Sequence, residues 1–128
     1  MGAASASFGL HRIGQILVTA RDLERAVRFY RDTLGMTYLF QVPRMAFFDC
    51  GGIRLMLGIP DAVVDHPASV IYYQVDDIQA AHQTLTSRGV VFFNPPHRVA
   101  KLEKVELWLA DARDSEDNIL ALMSEVPR

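Results

Sequence analysis

The stretch QILVTARDLERAVRFYRDTLGM, Gln15 to Met36, decides the fold, because its pattern returns later in the same chain. An aliphatic run leads into Asp22, and a helix-period segment then ends at Leu34-Gly35. From Val70 to Val90 the order reappears about 55 residues further on, as VIYYQV followed by DDIQAAHQTLTSRGV. Asp22 and Asp77 sit at the two strand-to-helix joints, followed by Leu23 and Ile78. A second pair, GGIRLMLG from Gly51 and DNILALMS from Asp117, extends the match. The chain is therefore read as two copies of one strand–helix–strands unit.

Working outward, Ile13 to Thr19 is a strand by its β-branched and aliphatic content. Asp22 is placed to cap the following helix through its carboxylate. Leu23, Ala26, Val27, Tyr30 and Leu34 fall on one face of that helix, and Gly35 stands where a left-handed residue ends it. Strands follow at Thr37 to Val42, Met45 to Cys50 and Ile53 to Ile59, with Pro43 and Gly51-Gly52 as turns. The second unit has a strand to Val75, a helix with Ile78, Ala81, His82 and Leu85 inward, and Gly89 as its stop. Val90 to Phe93 is a strand and Asn94-Pro95-Pro96 a forced break; Glu103 to Leu109 and Asn118 to Met123 complete the sheet.

The expected fold is α+β: two βαβββ modules in one chain, forming a curved, mostly antiparallel sheet around a cup-shaped cleft. Residues 1–10 are expected to be a disordered leader and 11–128 a single domain. Within it, module one spans about residues 11–59, a linker 60–68, and module two about 69–126.

A length of 128 residues suits one domain, and half of them are hydrophobic. The net charge of −2 gives no basic surface for a phosphate backbone, so nucleic acid is not an expected partner. No run of apolar residues is long enough to span a membrane. Cys50 is the single cysteine, which excludes an internal disulfide and suits a reducing cytoplasm.

The segments Gln15 to Met36, Gly51 to Leu57, Tyr73 to Leu85 and Asp114 to Glu125 resemble the vicinal oxygen chelate superfamily. That superfamily includes glyoxalase I, extradiol dioxygenases and the fosfomycin- and bleomycin-resistance proteins. DSEDNILALMSE resembles its closing DPDGN segment. The resemblance implies up to four metal ligands, on the first and last strands of each module. The matching residues here are Gln15, Leu55, Val70 and Ala121. Three are hydrocarbon, and a divalent ion needs three or four donors. Shifting by one residue to Arg54, Ser69, Ile71, Leu120 or Leu122 supplies no ligand, so neither a metal nor another cofactor is expected.

Among candidate site residues, Glu106 shares strand parity with Trp108 in KVELWLA. Beside an indole in the cup, its pKa would rise and suit a general acid or base; on the other parity it is exposed. His97 follows Pro95-Pro96 and is a candidate proton shuttle or a plain loop residue. Gln15 is a candidate for hydrogen bonding a ligand, and Arg54 for pairing with a carboxylate. Phe47, Met56, Tyr72 and Trp108 either line an apolar pocket or belong to the core.

Two functions compete. One is a metal-free protein of the bleomycin-resistance kind that binds a small, partly aromatic molecule in an apolar cleft. The other is a lyase, isomerase or dioxygenase using Glu106 and His97. The binding reading is preferred, with a homodimer closing the clefts.

Overall fold

The computed structural model describes residues 8–60 and 69–128. Most of the expected leader and linker lies outside them; residues 8–14 form no helix or strand. The first module comprises β1 (Gln15–Thr19), α1 (Leu23–Arg28), β2 (Thr37–Val42), β3 (Met45–Cys50) and β4 (Ile53–Gly58). The second comprises β5 (Ile71–Gln74), α2 (Ile78–Ser87), β6 (Phe92–Lys101), β7 (Val105–Arg113) and β8 (Ile119–Pro127). Each module is a four-stranded sheet, ordered β1-β4-β3-β2 and β5-β8-β7-β6. In both, the first strand runs parallel to the last and the other pairings are antiparallel. The repeat read from the sequence is thus a repeat of topology.

Local chemistry sets the element ends. Asp22 and Asp77 each accept from the backbone N–H three residues on, at 3.1 Å in both cases. The last turn of α1 widens over Phe29–Thr33 into a π-turn, with the Leu34 N–H donating to the Phe29 carbonyl. Gly35 at φ +73° and Gly89 at φ +95° end the two helices in the backbone region that excludes most side chains.

One expectation fails at Asn94-Pro95-Pro96. These residues lie inside β6 rather than breaking the chain. The strand is at the sheet edge, where a missing N–H costs no ladder bond, and its register slips between Asn94 and His97 absorb the prolines.

Each helix covers one face of its own sheet. Leu23, Ala26, Val27 and Tyr30 pack on Val18, Ala46, Phe48, Leu55 and Leu57. Ile78, Leu85 and Val90 pack on Ala110, Ala112, Leu120 and Leu122. Burying each Val, Leu, Ile or Phe among them contributes about 1.5–3 kcal/mol. Phe29, Leu34 and Tyr73 touch both clusters and join them.

A polar clamp reinforces that joint at the β7–β8 turn. Asp114 accepts from Tyr30 Oη at 2.7 Å and from the Glu116 and Asn118 N–H groups at 2.8 Å. Asn118 Nδ2 donates at 2.9 Å to the Thr19 carbonyl, on the first module. Glu116 reaches the start of α1. Its Oε1 accepts from the backbone N–H groups of Arg21 and Asp22 at 2.7 and 2.8 Å, and its Oε2 from Arg25 Nε at 2.7 Å. Burial opposes the charge on Glu116, but the bonds from Arg25, Asp22, Arg21 and Ser115 outweigh it and hold its pKa at about 2.

A carboxylate with a depressed folded-state pKa stabilises the fold above its unfolded value and loses that contribution as pH falls through the folded one. Denaturant titrations should therefore show stability falling between pH 4.5 and pH 2, by up to about 3 kcal/mol from Glu116. Glu116→Gln should cost about 2–3 kcal/mol at pH 7 and remove most of that dependence. An unchanged acid profile in the variant would show that the clamp is energetically idle.

Candidate functional site

Side chains alternate between the faces of a strand, so the face of each sheet opposite its helix carries the remaining residues. On the first sheet, Leu17, Met56, Phe47 and Phe40 are successive register partners across all four strands. On the second, the equivalent row is Tyr72, Ala121, Asp111 and Asn94. Both faces stand open: Leu17 is 56%, Tyr72 49% and Phe40 45% exposed.

The first open face brings together four of the residues singled out from the sequence. Gln15 Nε2 lies 3.9 Å from Met56 Sδ. Phe47 stacks on Phe40 with centroids 4.5 Å apart, and the Arg54 guanidinium sits over the Phe47 ring at 5.6 Å. Arg54 is the direct register partner of Gln15. The result is an aromatic and thioether floor flanked by one amide and one cation.

Tyr72 lies on the open face of the second sheet. Sequence reasoning missed its polar neighbours there, Asp111 and Asn94, joined at 2.9 Å. The signal available was Asp111 alternating with Ala110 and Ala112, but its meaning depended on where β7 ended.

Glu106 and Trp108 are placed differently from the cup arrangement. Trp108 shares a face with Ala110 and Ala112 and packs against the second core, on the helix side of the sheet. Its indole N–H donates to Glu106 Oε1 at 3.3 Å, and Arg98 Nη1 donates to Glu106 Oε2 at 3.2 Å. The Trp108 bond and then the Arg98 pair lower the Glu106 pKa, the reverse of the expected rise. A polar indole N–H pointed at the carboxylate stabilises the charge that an apolar ring face would have opposed.

His97 pairs with Leu109, on the opposite face from Glu106 and Trp108. It lies on a strand rather than a loop, with Nδ1 2.8 Å from the Pro95 carbonyl. Glu106 and His97 therefore do not converge on one substrate.

The register also corrects the metal-ligand positions. Tyr72 pairs with Ala121 as Leu17 pairs with Met56, and each of those first-strand residues precedes its capping Asp by the same interval. The counterpart of Ala121 is Met56, not Leu55. Leu55 corresponds to Leu120, and both are buried beneath the helices. The donor set at the family positions becomes Gln15, Met56, Val70 and Ala121: one amide, one thioether and two hydrocarbons. This set does not fit a divalent ion. Among the described residues, no three His, Cys, Asp or Glu gather to hold one.

Cys50 sits at the edge of the helix side. Burial and then Asp49 push its thiol pKa up, so the protonated form is favoured.

Two βαβββ modules, each with one covered and one open sheet face, define the paired-module architecture that the repeat implied. The chain belongs to the Glyoxalase/Bleomycin resistance protein/Dioxygenase superfamily, whose model matches residues 12–118. A glyoxalase/bleomycin resistance protein/dioxygenase from Nocardioides is similar at TM-score 0.78 and 19% identity, covering 98% of this chain and 90% of that one. A superfamily member from Sphaerobacter thermophilus DSM 20745 is similar at TM-score 0.75 and 26% identity, with coverages of 91% and 98%. Lactoylglutathione lyase from Agrobacterium tumefaciens is similar at TM-score 0.74 and 19% identity, with coverages of 91% and 95%. No curated protein matches the chain.

Register can be checked by placing a carboxylate at each of two adjacent positions. Leu55→Glu would put a charge in the helix-side core and should cost more than about 3 kcal/mol or abolish folding. Met56→Glu, on the open face, should cost about 1 kcal/mol or less. Thermal melts of the two variants compare them directly; equal losses would contradict the register.

Proposed function

We propose that the protein binds a small, partly aromatic or amphipathic organic molecule on the open face of its sheets, without a metal ion. The supporting observation is the grouping of Gln15, Phe47, Arg54 and Met56, where donors are too few to grip a cation. Phe47 and Phe40 offer a flat apolar surface to a ring. Arg54 offers a planar fork to a carboxylate, and Gln15 an amide able to donate or accept. In this reading the open rows are closed in the functional state by a ligand and a second copy of the chain.

Catalysis through Glu106 is the weaker alternative. Its carboxylate is occupied by Arg98 and Trp108 and lies across the sheet from Gln15's counterpart face. Among the described residues, no helix is long and apolar enough to cross a membrane.

Calorimetric titration with a panel of aromatic carboxylates tests the binding reading. Arg54→Ala should weaken a bound aromatic acid by about tenfold or more, the loss of a charge-assisted pair. Glu106→Gln should leave that affinity unchanged. Elemental analysis of the purified protein should give no stoichiometric divalent metal, and finding one would overturn the assignment. Turnover of a carbonyl compound that Glu106→Gln abolishes in a folded variant would favour the enzyme instead.

A further inference from the structure

The segment ahead of β1, residues 8–14, carries apolar side chains that the fold leaves in water. Phe8 is 77%, Leu10 92% and Ile13 63% exposed. Exposed hydrophobics scattered singly are ordinary, but these three fall within six residues next to an open, largely apolar sheet face.

The segment begins where the candidate site lies. The Gly14 carbonyl accepts from the Arg54 N–H at 3.3 Å, so the chain joins β1 beside Arg54 and Gln15. A Cβ added at Gly14 would meet nothing within 4 Å, and its φ lies outside the left-handed region. The present path therefore makes no demand for glycine, and glycine leaves the backbone free to turn there. Reach is sufficient. Seven extended residues span roughly 20 Å, whereas β1 to β2 is three strand spacings, about 14 Å. Phe8 can arrive over Phe40 and Phe47 while Gly14 stays bonded to Arg54.

A flat floor contacts only one side of a ring, whereas small-molecule sites enclose most of the ligand. Arg12, two residues before Gly14, has no hydrogen bond or ion pair among the described residues. Turned over the floor, it adds a second guanidinium to a carboxylate that already faces Arg54. We propose that residues 8–14 are a strap that folds over the open face of the first sheet when an aromatic acid is bound there, laying Phe8 and Leu10 on the ring and Arg12 on the carboxylate. This inference rests on the ligand reading given above. It makes the strap a specificity element, because a ligand lacking the ring or the anion gains less from closure.

The probe is 1-naphthoate with the intact protein, followed by amide NMR titration and by trypsin cleavage after Arg12. Naphthoate should shift the Phe47 and Met56 amides and, along the same saturation curve, those of Phe8 and Leu10. It should slow cleavage after Arg12 about fivefold or more, since cleavage follows the open population, and leave trypsin's hydrolysis of a small chromogenic substrate unchanged. A variant carrying Phe8→Ser and Leu10→Ser should bind naphthoate about tenfold more weakly, and Arg12→Gln about fivefold. All three side chains are exposed, so both variants fold as the parent does. Saturable shifts at Phe47 and Met56 with a silent strap, or with unchanged affinity in both variants, would overturn the strap and leave the ligand reading standing. No saturable shift at Phe47 and Met56 would overturn both.

Discussion

The Glu116 carboxylate is the interaction on which the arrangement of the two modules turns. It belongs to the β7–β8 turn of the second module, yet its acceptors are filled by the Arg21 and Asp22 N–H groups just ahead of α1 and by Arg25. Its side chain is 1% exposed, so these bonds act where water competes least. Asp114 and Asn118 complete the clamp through Tyr30 and Thr19. Removing the carboxylate would leave the Arg21 and Asp22 N–H groups ahead of α1 unpaired, just where the helix dipole favours an anion. Hydrophobic contact through Phe29, Leu34 and Tyr73 brings the modules together; the polar turn specifies how they meet.

Once the modules are fixed, each sheet has one face committed to its helix and one left open. That division separates the residues more strictly than their types do. Leu55 and Met56 are neighbours in sequence and both apolar, yet one is core and the other is part of the open site. Glu106 and Trp108 form a real pair, but on the covered side, where the indole N–H and Arg98 keep the carboxylate ionised. The open side holds an amide, a thioether, aromatic rings and a guanidinium. Its donors are too few to fit a divalent ion.

Much of the fold was legible because local chemistry and tertiary structure agree. Asp22 and Asp77 cap the helices they precede, Gly35 and Gly89 end them, and Gly51-Gly52 turns the β3–β4 hairpin at φ +60° and +91°. The site was less legible. Gln15, Phe47, Arg54 and Met56 share a face, whereas Glu106 and Trp108, whose facing the sequence left open, lie on the helix side. In a strand, an error of one residue or one misplaced strand start exchanges the faces entirely. The second module suffered most, since β6 continues through Pro95-Pro96 and β7 extends to Arg113, which hid Asp111 and Asn94.

By itself the sequence determined the duplication, the caps and stops of both helices, and the poverty of metal donors at the family's positions. These follow from residue identity and short-range spacing, which need no partner from elsewhere in the chain. Tertiary structure alone decided which side of each sheet is open, that Met56 rather than Leu55 stands opposite Ala121 in the repeat, and that Glu116 ties one module to the other. Register, facing and burial depend on contacts between segments far apart in sequence, and no local pattern encodes them.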